Sequence, residues 1–342
     1  MTTAVFLTFA TALSLSFGRL PLTAQSSNSR AVSLFDYIGR QEAAPITLET
    51  DLTTILANRY SEEYVPGMLT LANGESFTVK IQTKGKYRRK IAEIPPLKLK
   101  IPKKELRERG LDTLTEMRLI LPCYDNYRGD QLLIKEYVAY RMFELLTDKC
   151  VRARLVRVTL RDNHVEKSSK KMYGLLVEDN EETAARLGGT LVDQYGLPVD
   201  SLQIEHTALV AVFQYMIGNT DWDIAMMRNV RLVRLPEGKI AAIPFDFDFS
   251  GLVGAPYASP SSESGLRGVR DRFLMANGIP REALRQAVQR IRQKEQDLYN
   301  LCYSRHLPRD VSYEMTQYLE TFFRKIDKNN DIPARAVTEM ID

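Results

Sequence analysis

The sequence predicts an α+β protein in two lobes, and three observations carry that reading. Strand signals dominate from about Pro66 to Glu178, with one long helical pattern among them. Beyond Glu178 helical periodicity takes over, and one hairpin interrupts it. The 342 residues also suit two lobes at roughly 150 residues each. Apolar residues make up 44% and charged ones 26%, which excludes wholesale disorder and collagen-like repetition. Lys and Arg number 47 against 43 Asp and Glu, and a balance of +4 is too small to imply a nucleic-acid partner. Cys123, Cys150 and Cys302 form no C-x-x-C pair and allow at most one disulfide.

The expected elements run in order. Ala4 to Phe17 is uncharged, too short to span a bilayer comfortably, and suited to the apolar core of a signal peptide cleaved after Ala24. On that reading residues 1–24 are an export leader, the mature chain has no transmembrane segment, and the protein is periplasmic or extracellular. A terminal core helix or strand is the competing reading, and it would leave the protein cytoplasmic. Residues 25–34 are polar and read as a disordered leader. Met68–Leu71, Asn73-Gly74 and Phe77–Ile81 predict a hairpin. A basic loop, Lys84 to Lys90, precedes Pro95-Pro96 and the strand Leu97–Ile101; Met117–Leu121 is another strand. Gln131–Leu146 has helical spacing without Gly or Pro, and strands follow at Ala153–Leu160 and Met172–Glu178. The N-lobe is thus 25–178 and the C-lobe 179–342. In the latter, Leu202–Ile217 is an apolar helix stopped by Gly218. Strands at Val230–Leu235 and Ile240–Phe247 flank Pro-Glu-Gly-Lys, and helices at 281–302 and 309–326 close the chain.

The densest chemical signal lies between Ile217 and Gly251. Asp221 and Asp223 precede the first strand of the hairpin, Asn229 opens it, and Asp246 and Asp248 end the second strand. Pairing through a tight turn returns Asp246 to the Asn229 end, with the acidic loop beside both. Carboxylates and an amide oxygen converging there form a hard-oxygen site suited to Mg²⁺ or Mn²⁺. A lone carboxylate at a strand end is usually solvated. Here, however, the run Pro-Phe-Asp-Phe-Asp-Phe sets Asp246 and Asp248 among aromatics, where an unpaired charge is costly.

The wording Gly-Asn-Thr-Asp-Trp-Asp, then Arg-Asn, then Ile-Pro-Phe-Asp-Phe-Asp is similar to atypical kinases of the spore-coat protein H (CotH) type. It resembles HipA-type kinases more distantly. The resemblance implies a two-lobed protein-kinase-like fold: a β-rich N-lobe with one main helix, and a mainly helical C-lobe carrying the catalytic hairpin. It implies an ATP-dependent phosphotransferase acting on an unknown hydroxyl acceptor, a protein or a small molecule. Asp221 becomes the catalytic aspartate, Asn229 a metal ligand, and Asp246 the metal-binding aspartate, with Asp248 an alternative. In the N-lobe, Lys98 is the candidate phosphate anchor, with Lys100 second and Glu136 as its helix partner. Arg88, Arg89 and Lys90 are placed to approach phosphates, and the strand ending at Glu178 would be the hinge beside the adenine. The chain departs from the pattern in lacking G-x-G-x-x-G and in separating Asp221 from Asn229 by eight positions. The competing functions are a non-catalytic exported binding protein and a carboxylate- or metal-dependent hydrolase. A calcium loop at 327–331 is rejected because Ile332 and Thr338 stand where Gly and Glu are needed. His164, His206 and His306 lack zinc-ligand spacing.

Overall fold

The computed structural model describes Met1, residues 31–165 and residues 168–326. The chain divides into a leading unit, Met1–Ala31, and a main unit, Val32–Asp342, which holds every element below. Met1 apart, the expected leader at 1–24 lies outside the described residues, as does the tail from 327. The polar leader expected over 25–34 ends earlier than its composition suggests. Ser33 accepts from the Asp36 amide at 3.1 Å and so caps helix α1, Leu34–Ile38, whose Leu34 and Phe35 are buried.

The protein is mixed α+β, and its β-rich half is a closed seven-stranded barrel. The strands are β1 (Ala44–Thr50), β2 (Val65–Leu71), β3 (Ser76–Thr83), β4 (Leu97–Lys100), β5 (Glu116–Ile120), β6 (Ala153–Asp162) and β7 (Ser169–Glu178). Neighbours pair antiparallel in the order β1-β2-β3-β4-β5-β7-β6, and β1 beside β6, in parallel, closes the ring. The expected Asn73-Gly74 turn joins β2 to β3, with Gly74 at φ 87. Alternation aims Leu48, Leu69, Phe77, Val79, Leu97, Leu99 and Leu119 inward, and none retains any exposure. Short helices that the sequence pattern did not reveal bridge the strands: α2 (Leu52–Ala57), α3 (Tyr87–Ile91) and α4 (Lys103–Glu108). The stretch read as a basic loop is therefore partly helical.

Helix α5, Tyr127–Leu146, starts earlier than the spacing indicated, because Asn126 accepts from the Gly129 amide at 3.0 Å and caps it. It is buried on nearly every face, Lys135 and Glu136 included, because it lies between the barrel and a second core. The outward faces of β5 and β7 supply Ile120, Leu175 and Val177 to that core. After β7 come α6 (Asn180–Arg186), β8 (Thr190–Val192) and α7 (Ile204–Ile217), then β9 (Val230–Arg234) and β10 (Ile240–Pro244). Gly218 ends α7 at φ 66, and a Cβ there would lie 2.0 Å from the Tyr318 hydroxyl, so both conformation and space require glycine. The long helix expected over 281–302 is two, α8 (Arg281–Arg292) and α9 (Glu295–Cys302), followed by α10 (Arg309–Lys325). The break falls at Gln293-Lys294, which carries no Gly or Pro to announce it. All three cysteines are buried free thiols. No helix among the described residues is long and apolar enough to cross a membrane.

Candidate active site

Strands β9 and β10 pair antiparallel with Pro244 opposite Val230, and the Phe245 amide donates to the Asn229 carbonyl at 3.0 Å. That pairing sets Asp246 beside Asn229, as the hairpin arithmetic requires. Both turn sharply: Asn229 has φ 52 and Asp246 φ 64, left-handed values that are uncommon outside glycine and that Asn and Asp tolerate best. Hydrogen bonds hold both turns. The Asp246 amide donates to the Tyr140 hydroxyl at 2.8 Å, and the Asn229 side-chain amide donates to the Asp221 carbonyl at 2.7 Å and to its Oδ2 at 2.9 Å.

The acidic loop is built on α7. Buried Asn219 donates to Gln214 Oε1 at 3.0 Å, and its own Oδ1 accepts from the Asp221 amide at 3.0 Å. Asp223 and Arg228 exchange backbone hydrogen bonds of 2.9 Å in both directions, closing the longer excursion between Asp221 and Asn229 into a tight turn. Arg228 Nε then stands 3.7 Å from Asp221 Oδ1. Burial raises the Asp221 carboxyl above its ordinary range; Arg228 opposes that rise and the charge on Asp248 adds to it.

Arg88 meets the other end of the hairpin. Helix α3 carries its guanidinium into the second core, where Nη2 donates to Glu136 Oε2 at 2.7 Å and to Asp246 Oδ1 at 3.0 Å, while Nε donates to Asp248 Oδ2 at 2.8 Å. The helix is anchored on both sides. Arg59 donates to the Arg89 and Ala92 carbonyls, and the Tyr87 ring packs against Phe249 at 5.2 Å and Tyr257 at 6.0 Å. Burial opposes the charge on Arg88, but Asp248, Glu136 and Asp246 together outweigh it and hold the guanidinium firmly protonated. One cation does not balance three carboxylates, however. Burial first, and Asp248 and Asp246 against the opposing Arg88, push Glu136 up to about 8; burial and then Asp248 raise Asp246 to about 6. The three carboxylates offer ligand oxygens within 4.8 Å of one another, a hard-oxygen donor set that fits Mg²⁺ or Mn²⁺.

The structure thus brings together Asp221, Asn229, Asp246, Asp248, Glu136 and Arg88. It does not bring Lys98 and Lys100 to Glu136. Their ammonium groups converge on Glu116, at 2.5 Å and 2.9 Å, on the outer face of the barrel. Glu178 is fully buried at the end of β7 and accepts from Arg152 and Arg186, which hold it below the usual carboxylate range against its burial. Its carbonyl accepts from Arg231 at 2.9 Å.

Two further cations escaped the sequence reading. Arg118, opposite Lys98 in the β4–β5 register, and Arg231 on β9 stack on the Phe245 ring at 5.4 and 4.9 Å, and no carboxylate pairs with either among the described residues. A charged residue within the apolar run Met117-Arg118-Leu119 was the available signal. Beyond Glu116 a cavity of about 590 Å³ opens, lined by Lys100, Pro102, Thr115, Asp179 and Glu182 among others.

No family model matches the sequence, and no curated protein matches it. Among solved structures, the complex of Rio2 kinase with ADP/Mg²⁺ and phosphoaspartate from Chaetomium thermophilum aligns over 84% of this chain and 74% of that one, at 10% identity and a TM-score of 0.24. It is a remote likeness.

Proposed function

We propose that the protein is a nucleotide-dependent phosphotransferase with a protein-kinase-like catalytic apparatus, acting on a hydroxyl acceptor. One observation carries the reading: Asp221 with Asn229, and Asp246 with Asp248, meet at one hairpin end against the buried Arg88–Glu136 pair. Asp246 and Asp248 would hold Mg²⁺ or Mn²⁺, with the Asn229 amide oxygen a further donor. The ion would supply charge neutralisation to the nucleotide phosphates. Arg88, oriented by Glu136, takes the phosphate-anchoring role for which Lys98 was the sequence candidate. The cavity beyond Glu116 offers room for the base, and Arg118, two residues along β5 from Glu116, acts electrostatically on Asp246. Asp221 orients the acceptor hydroxyl and accepts its proton. The acceptor oxygen bonds to the γ-phosphorus as the bond from that phosphorus to the β–γ bridging oxygen breaks, releasing nucleoside diphosphate. Export, read from Ala4–Phe17, belongs to the same proposal and is checked by sequencing the N-terminus of protein recovered outside the cytoplasm.

The test uses the full chain with γ-labelled ATP and Mg²⁺ or Mn²⁺, reading both thermal stabilisation and label transfer. The wild type should gain stability with nucleotide and metal together. Asp221→Asn should keep that gain while losing transfer by about a hundredfold or more. Stabilisation without turnover would favour the non-catalytic binding reading, and phosphoester or glycoside cleavage without nucleotide the hydrolase. An Asp221→Asn enzyme with full transfer removes the assignment.

A further inference from the structure

Glu136 is 1% exposed, and its Oε1 has no hydrogen-bond partner although no solvent reaches it. Its Oε2 is engaged by Arg88, as are Asp246 Oδ1 and Asp248 Oδ2, so the guanidinium touches one oxygen of each carboxylate. An orphaned buried carboxyl oxygen is expensive, and the cluster sets three carboxyl groups against one guanidinium. Fully ionised, the three would exceed Arg88 by two charges, which is the charge a divalent cation supplies. The three residues offer ligand atoms within 4.8 Å of one another, against about 4.2 Å between opposite oxygens around Mg²⁺, so a small inward movement of the side chains would close the set on an ion. Asn229 is placed differently, because its side-chain amide nitrogen is spent on Asp221.

We infer that Glu136, Asp246 and Asp248 form a divalent-cation site that fills without nucleotide, with Glu136 a direct ligand and Arg88 the charge that partly neutralises the empty site. This deepens the preceding reading, in which Glu136 serves only to orient Arg88. On cation entry Arg88 keeps Glu136 Oε2 and gives up Asp246 and Asp248, freeing its other nitrogens for phosphate. Cation binding and phosphate anchoring are then coupled through one side chain.

The experiment titrates the full chain with Mn²⁺ alone, following loss of the free-ion paramagnetic resonance signal, and repeats the titration with ATP present. The wild type should bind Mn²⁺ in the absence of nucleotide. Glu136→Gln, close to isosteric, should weaken it about tenfold or more. Arg88→Met should tighten it, since a competing positive charge is gone; this second variant keeps the test decisive if Glu136→Gln folds poorly. Wild-type affinity in Glu136→Gln overturns the inference, leaving Glu136 a positioning residue. So does a wild type that takes Mn²⁺ only together with ATP, although the phosphotransferase reading survives that result. A wild type that binds Mn²⁺ neither alone nor with ATP defeats both.

Discussion

Glu178 and Glu136 are both fully buried glutamates that meet arginine, and their surroundings are opposites. Glu178 has two guanidiniums: Arg186 reaches it at 2.8 and 3.0 Å, and Arg152 at 3.0 Å through Nε and again through its backbone amide. Its carboxylate is held ionised. Glu136 shares one guanidinium with Asp246 and Asp248, leaves an oxygen orphaned and is pushed up to about 8. A saturated cluster of this kind fixes the chain, here the exit of β7 toward α6. An undersupplied one is unstable by itself, and the cation inferred above would relieve it. Burial and residue type alone do not separate the two; the count of donors per carboxylate does.

The largest expected effect follows from that count. Glu178→Gln removes the buried counter-charge of Arg186 and one of the partners of Arg152, which keeps Asp36 at 2.8 Å and Glu182, and should cost roughly 3 kcal/mol in urea unfolding. Glu136→Gln, measured at pH 7 in metal-free buffer, should be close to neutral, because a carboxyl pushed up to about 8 already carries a proton there and glutamine keeps its size. Equal losses in the two variants would break the contrast.

Much of this fold was legible in local pattern. Asn73-Gly74 announced its hairpin, Gly218 its helix stop, and the four-residue link at 236–239 the hairpin that gathers Asp221, Asn229, Asp246 and Asp248. These features depend on residues near one another in sequence. Barrel closure does not: β1 pairs in parallel with β6 about a hundred positions away, and nothing in Ala44–Thr50 names its partner. Arg88 was equally hidden. It sits on a five-residue helix with no periodicity to read, and its partners lie 48, 158 and 160 positions along the chain. Lys98 and Lys100 had the same charge on a recognisable strand, so pattern favoured them where tertiary geometry favours Arg88.

Glu182 sharpens the contrast with an intermediate case. It neighbours Glu178 and is buried, and its neighbours stabilise it incompletely: burial raises it to about 7, opposed by the Ser33 hydroxyl and Arg152, while the charge on Glu178 adds to the rise. The folded state therefore holds a proton that the unfolded chain releases above about 4.5. Stability from this group is fully present below that value and is lost as pH rises toward 7. Glu182→Gln should flatten that limb of the stability–pH curve and stabilise the protein at pH 8, by on the order of 2–3 kcal/mol. A variant curve parallel to the wild type between pH 4.5 and 8 would show that Glu182 does not carry the proton.

Lys98 should give the smallest effect, and that smallness is informative. Lys98 and Glu116 are each 22% exposed, and Lys100 remains on Glu116 if Lys98 is lost. Pairs of this exposure contribute at most about 1 kcal/mol, so Lys98→Met should barely move the unfolding midpoint. The discriminating readout is the stabilisation produced by ATP with Mg²⁺. If the cation serving the phosphates is the one held on Glu136, Lys98→Met should retain that stabilisation and Arg88→Met should lose most of it. The reverse outcome would return phosphate anchoring to β4 and leave the Arg88 cluster a structural one, undersupplied with donors but recruiting nothing.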